Sequence, residues 1–137
     1  MDGYGKRVLV VENDDTVRNM LTVLLFREGY NVHAVSDGQE ALNEMKRRHF
    51  DVVITDNCMP RLDGMEFLSL SRIVWPDTPV IMVSGGHPDL SATAVQRGAY
   101  AWLHKPYAPS MLLEIVLDAV HVSQDRRSRK FSAPAVG

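Results

Sequence analysis

The stretch DVVITDNCMPRLDG, Asp51 to Gly64, decides how the rest of the chain is read. Val52, Val53 and Ile54 make a short continuous run of β-branched residues, the pattern of a strand buried on both faces. That strand ends on a charge, Asp56, and turn chemistry follows at Pro60 and Asp63-Gly64. A carboxylate in this place is either a cap for the next element or a reactive group held at the lip of a sheet.

The flanking segments alternate between strand and helix periods. RVLVV (7–11) is a short apolar strand, and Asp14 or Asp15 can cap a helix with Val17, Met20, Leu21 and Leu24 on one face, ended by Gly29. YNVHAV (30–35) is a second strand, and Asp37 with Glu40 three residues on resembles a capping box. DVVIT (51–55) is the third strand, Met65 to Val74 a third helix, and PVIMVS (79–84) a fourth strand. Pro88 to Arg97 forms a weaker helix before Gly98. AYAWLHK (99–105) is the fifth strand, and Pro109 opens a helix whose Leu113, Val116, Leu117 and Val120 share a face, although Ala108 offers it no capping side chain. The expected fold is α/β, (βα)₅, with a doubly wound parallel sheet and right-handed crossovers.

The 137 residues, 45% hydrophobic and 23% charged, suit one domain with a sizeable core. No apolar run approaches the ~20 residues of a membrane span, and the N-terminus lacks a signal peptide's apolar stretch, so the expectation is a cytoplasmic protein. The single cysteine excludes an internal disulfide, and the five histidines show no metal-ligand spacing. Residues 1 to 120 hold 11 Lys/Arg and 16 Asp/Glu, whereas 121 to 137 hold 4 and 1. An acidic body argues against nucleic acid as the main partner, because affinity there rests on neutralising phosphates. The basic stretch from residue 123 to 137 reads as a flexible tail or linker.

Ligands of open α/β sheets bind beyond the carboxyl ends of the strands, near the point where strand order reverses. The ends here are Glu12 and Asn13, Asp56, Ser84 and Lys105. If the strand order is 2-1-3-4-5, the alternative to an order beginning 3-2-1, these side chains converge on one lip. Together they form a phosphoryl-transfer set: Glu12, Asn13 and Asp56 as hard oxygen ligands for Mg²⁺ or Mn²⁺, Asp56 as nucleophile, Ser84 and Lys105 facing the arriving oxygens.

With these motifs in order, VLVVEN, VITDNCMP with LDG, MVSGG and GAYAWLHKPY, the chain resembles the receiver domain of two-component response regulators over residues 6 to 122. The resemblance implies the flavodoxin-like order 2-1-3-4-5. It also implies phosphorylation of Asp56 by a histidine kinase or phosphotransfer protein, a Ser84 that moves toward the phosphate, and a Trp102 that turns inward as the switch. It further implies a metal contact from the backbone carbonyl of Cys58 and a cis peptide before Pro106. Asp63 and Gly64 are expected to shape the turn into the third helix and carry no chemistry.

The expected output is a shifted surface of fourth helix, fifth strand and fifth helix, offered to a downstream target, a missing effector domain or a second copy. Neither nucleic acid nor membrane is an expected partner, and the chain is not expected to be an enzyme beyond its own phosphorylation and dephosphorylation. A haloacid-dehalogenase-type enzyme would need a second Asp at position 58, which is cysteine. A flavodoxin phosphate loop would have to sit where the chain reads ENDD. One departure matters within the family: its second acidic residue after strand one is Asn13 here, which removes a unit of charge from the metal site. The alternative function is therefore a receiver-like interaction module that is not phosphorylated in practice.

Overall fold

A computed structural model describes residues 3, 5–57, 62–85 and 90–131, with the side chains of residues 130 and 131 left aside. The elements run β1 (Arg7–Val11), α1 (Asp15–Arg27), β2 (Asn31–Val35), α2 (Gly38–Arg47), β3 (Val52–Asp56), α3 (Gly64–Val74), β4 (Val80–Ser84), α4 (Leu90–Gln96), β5 (Ala101–His104) and α5 (Pro109–Phe131). All strand pairs are parallel, in the order β2-β1-β3-β4-β5.

The period of two in each strand splits the core between the faces of the sheet. Val8, Val10, Val52, Ile54, Ile81 and Val83 face α1 and α5, packing on Leu21, Leu25, Leu112 and Val116. Leu9, Val11, Val53, Val80 and Met82 face the other way, onto Ala41 and Met45 of α2, Phe67 and Leu68 of α3 and Ala94 of α4. The inner strands β1, β3 and β4 thus read as continuous apolar runs because they are covered twice, while the edge strand β2 has only half-buried and exposed positions.

Three aspartates start helices, two of them, Asp14 and Asp37, as the sequence suggests. Asp14, Asp37 and Asp63 each accept a hydrogen bond from the backbone N–H three residues on, at Val17, Glu40 and Glu66. The return half of the expected capping box differs: Glu40 reaches past Asp37 and accepts from the backbone and hydroxyl of Ser36. Gly29, at φ 92°, ends α1 in a left-handed conformation and donates to the Phe26 carbonyl.

Other departures are geometric. The buried row of α1 is Leu21 and Leu25, while Met20 is 65% exposed. In α5 the buried positions are Leu112, Val116, Ala119 and Val120, with Leu113 and Leu117 only half-buried. Residues 88 and 89 of the expected fourth helix lie outside the described residues, and α4 is seen over Leu90–Gln96. The flexible stretch expected from residue 123 is helical to Phe131. Ser123, fully buried, extends the row Leu112, Val116, Val120 by one more step, and no Gly or Pro interrupts residues 110 to 133.

Phe67 is fully buried between α3 and the sheet, whereas Ile73 is 78% exposed on the same helix. Phe67→Ala is expected to lose about 3–5 kcal/mol of stability in urea unfolding, and Ile73→Ser is expected to change it by less than about 0.5 kcal/mol. Similar losses from both would show that α3 does not pack through Phe67.

Candidate functional site

Parallel register brings the strand ends level. Val11 lies between Val35 and Thr55, Asp56 beside Val83, and Ser84 beside His104. Glu12, Asp56, Ser84 and Lys105 therefore leave four adjacent strands at one lip, as the 2-1-3-4-5 order requires. The Lys105 ammonium nitrogen lies 3.6 Å from Glu12 Oε1 and 3.6 Å from Asp56 Oδ2, so one cation bridges two carboxylates.

Each group is held by its own surroundings. Glu12 is 3% exposed; its Oε2 accepts from the Asp14 N–H at 3.0 Å, and its carbonyl accepts from Arg18 Nη1 at 2.9 Å, which ties the first turn of α1 to the end of β1. Asp56 is the last residue of β3, and its carbonyl accepts from the Thr55 hydroxyl at 3.0 Å. Gly64 donates to the Asn57 carbonyl at 2.9 Å, and a Cβ at position 64 would fall 2.5 Å from the Asp56 carbonyl oxygen. Only glycine lets α3 start this close to the strand end. Ser84 is 1% exposed, and its carbonyl accepts from the Lys105 N–H at 2.9 Å. The Lys105–Pro106 peptide is cis.

Burial raises the Glu12 carboxyl above the ordinary carboxylate range; the Asp14 N–H opposes this, the charge of Asp56 adds to it, and Lys105 opposes it again. Burial also raises the phenol of Tyr107, helped by the charges of Glu12 and Asp56. Tyr107 thus belongs to the electrostatic surroundings of the site, as does Arg18. Neither stands at a strand end, which is why a reading confined to strand ends passes over them, although Tyr107 closes the motif LHKPY.

The remaining candidates differ in their surroundings. Asn13 is exposed, and Cys58 lies outside the described residues. Trp102 is half-buried against the cluster that holds Met82 and Ala94, and its indole N–H is buried with no hydrogen-bond partner among the described residues. A groove of about 830 Å³ opens beside Lys105, Pro106 and Tyr107 and runs along Met20 and Val23 of α1, both of them exposed.

Fold and site together define a class. The family model for the response regulator receiver domain matches residues 8–117. Among curated relatives, the nitrogen assimilation regulatory protein NtrX of Azorhizobium caulinodans is 30% identical over 123 residues, 88% of this chain and 27% of that protein. The transcriptional regulatory protein GlrR of Escherichia coli K12 is 34% identical over 118 residues, 85% of this chain and 26% of that protein. A solved receiver domain from Clostridium thermocellum superposes with a TM-score of 0.84 at 29% identity, covering 88% of this chain and 98% of that one. The chain belongs to the response regulator receiver domain family of two-component signal transduction. It spans about a quarter of the length of these curated relatives. Receiver domains are phosphoacceptor modules and not enzymes in the ordinary sense. Among the described residues, no helix is long and apolar enough to cross a membrane.

The expectation of Mg²⁺-dependent phosphorylation of Asp56 by a histidine kinase is corrected by the composition of the site. Among the described residues, no group of three or more His, Cys, Asp or Glu side chains is arranged to hold a metal ion. The lip supplies two carboxylates, already shared by one ammonium, and the residue after Asp56 is a buried amide, Asn57, 7% exposed. A hard divalent cation needs several oxygen ligands, and its charge would sit against that of Lys105. These residues fit at most a weak Mg²⁺ or Mn²⁺ site.

The raised Glu12 carboxyl has a signed consequence. A carboxyl whose folded-state pKa lies above its unfolded value contributes stability at acid pH that is lost as pH rises through the folded value. Glutamine at position 12 keeps an acceptor for Asp14 and does not titrate. Glu12→Gln is expected to gain stability relative to wild type as pH is raised from about 3.5 to about 7, read from urea midpoints. A difference that moves the other way would mean that attraction to Lys105 outweighs burial.

Proposed function

We propose that this receiver domain is an interaction module that engages its partner without Mg²⁺-dependent phosphorylation, with Asn13 keeping the metal site weak. The observation that carries this reading is the pairing at the lip: Glu12 and Asp56 share the Lys105 ammonium, and no third metal-ligating side chain joins them among the described residues. Asn13, exposed and neutral, leaves out a charge that would draw a divalent cation.

Family membership supports partners of the two-component kind, a histidine kinase or phosphotransfer protein on one side and an effector on the other. Relatives such as NtrX are more than three times as long, so an effector segment of a longer polypeptide suits this reading. Its docking face is α4, β5 and α5, where Val95 and Met111 are exposed, and the same face serves a second copy. A cytoplasmic location goes with it.

Incubation with acetyl phosphate at millimolar Mg²⁺, followed by intact mass, is expected to show no added phosphoryl group. An adduct that forms on wild type and disappears in Asp56→Asn would overturn the proposal. Asn13→Asp restores a carboxylate, and Mg²⁺ titration is expected to show binding tightened by about tenfold, or about 1.4 kcal/mol. The same variant is expected to melt lower without metal, because a third carboxylate at the lip is repelled by the other two. An unchanged affinity together with an unchanged melting temperature would show that residue 13 has no part in the weakness of the site.

A further inference from the structure

At the opposite end of the sheet, where strands begin and helices end, α2 runs into β3 through four consecutive residues, Lys46, Arg47, Arg48 and His49. They line a pocket of about 320 Å³ whose floor is Phe50 and whose other wall is Trp75 and Thr78, from the turn that follows α3. This volume falls within the roughly 300–1,000 Å³ of small-ligand pockets. No Asp or Glu lines it, in a chain that carries more carboxylates than cations.

The charges are unequal in how they are satisfied. Arg48 pairs with Glu44 at 3.5 Å, and His49 meets Asp51 at 3.3 Å. Lys46 and Arg47 are exposed and have no ion-pair partner among the described residues. Behind this strap Arg7 donates to the His49 carbonyl at 2.9 Å and adds a further cation. A helix dipole favours Lys and Arg in the last turn, which explains two cations at the end of α2. It explains neither the cavity nor the half-buried indole across from them.

We propose that this pocket binds a nucleoside phosphate, with Lys46 and Arg47 meeting the phosphates and Trp75 meeting the base. Cations alone would take any polyanion, and an indole alone any flat ring. Stacking between a base and an aromatic side chain tolerates different bases, so the pocket selects the compound class more than the base. The site stands about one strand length from Glu12, Asp56 and Lys105 and uses none of them.

Calorimetric titration of the 137-residue protein compares ATP, adenosine and inorganic tripolyphosphate without divalent metal. Expected is one saturable site for ATP, with both fragments binding more weakly. The double substitution Lys46→Ala/Arg47→Ala, at exposed positions without ion-pair partners among the described residues, is expected to weaken ATP by at least about tenfold while the chain stays folded by circular dichroism. Trp75→Phe tests the ring, since phenylalanine keeps the packing with a smaller face; it is expected to weaken ATP and leave tripolyphosphate unchanged. No saturable ATP binding, or equal affinity in the double variant, overturns the proposal. Tripolyphosphate binding as tightly as ATP also overturns it, leaving a basic surface with no ring selectivity.

Discussion

Two carboxylates at the ends of buried strands repel each other and lose hydration, and the Lys105 ammonium, 3.6 Å from each, is what allows Glu12 and Asp56 to share one lip. The dependence runs outward from there. Lys105 reaches them only because β5 follows β4 in the sheet and its N–H is held by the Ser84 carbonyl. Glu12 is held to α1 through Asp14 and Arg18, and the Asp56 carbonyl lies where only Gly64 lets α3 begin.

The same arrangement limits what the site can do. A fixed ammonium neutralises much of the charge that would otherwise attract a divalent ion, and Asn13 adds none. The raised Glu12 carboxyl is the electrostatic sign of this crowding: burial dominates it, and the neighbouring carboxylate adds to it. A site so balanced is suited to holding strands and helices in a defined relation, and so to presenting a surface.

Charge is distributed along the strand direction. Carboxylates gather where the strands end, at Glu12, Asp14, Asp37, Asp56 and Asp63, and three of these cap helices there. Cations gather where the strands begin, as in Lys46, Arg47, Arg72 and Arg97 near the ends of helices. Helix dipoles favour both placements, since all five helices run antiparallel to the strands. The molecule therefore presents an acidic end and a basic end, and net charge alone conceals this.

Much of the fold is legible in the sequence because its signals are local. β-branched runs such as VVI in β3, aspartates one residue before helices, and Gly29 after α1 each act through nearest neighbours. The strand ends could be named as candidates for the same reason, once alternation indicated a parallel sheet. Other features required distant residues to meet. Met20 faces outward beside Pro106 and Tyr107, Glu40 bonds Ser36 in place of Asp37, and Ser123 extends α5 because the core still covers it. The division of one ammonium between Glu12 and Asp56 joins residues more than forty positions apart, and the approach of Trp75 to the end of α2 joins residues 28 apart. Periodicity and capping arise within a turn or two of chain, whereas burial and ionic balance are set by which elements become neighbours, and only the folded sheet decides that.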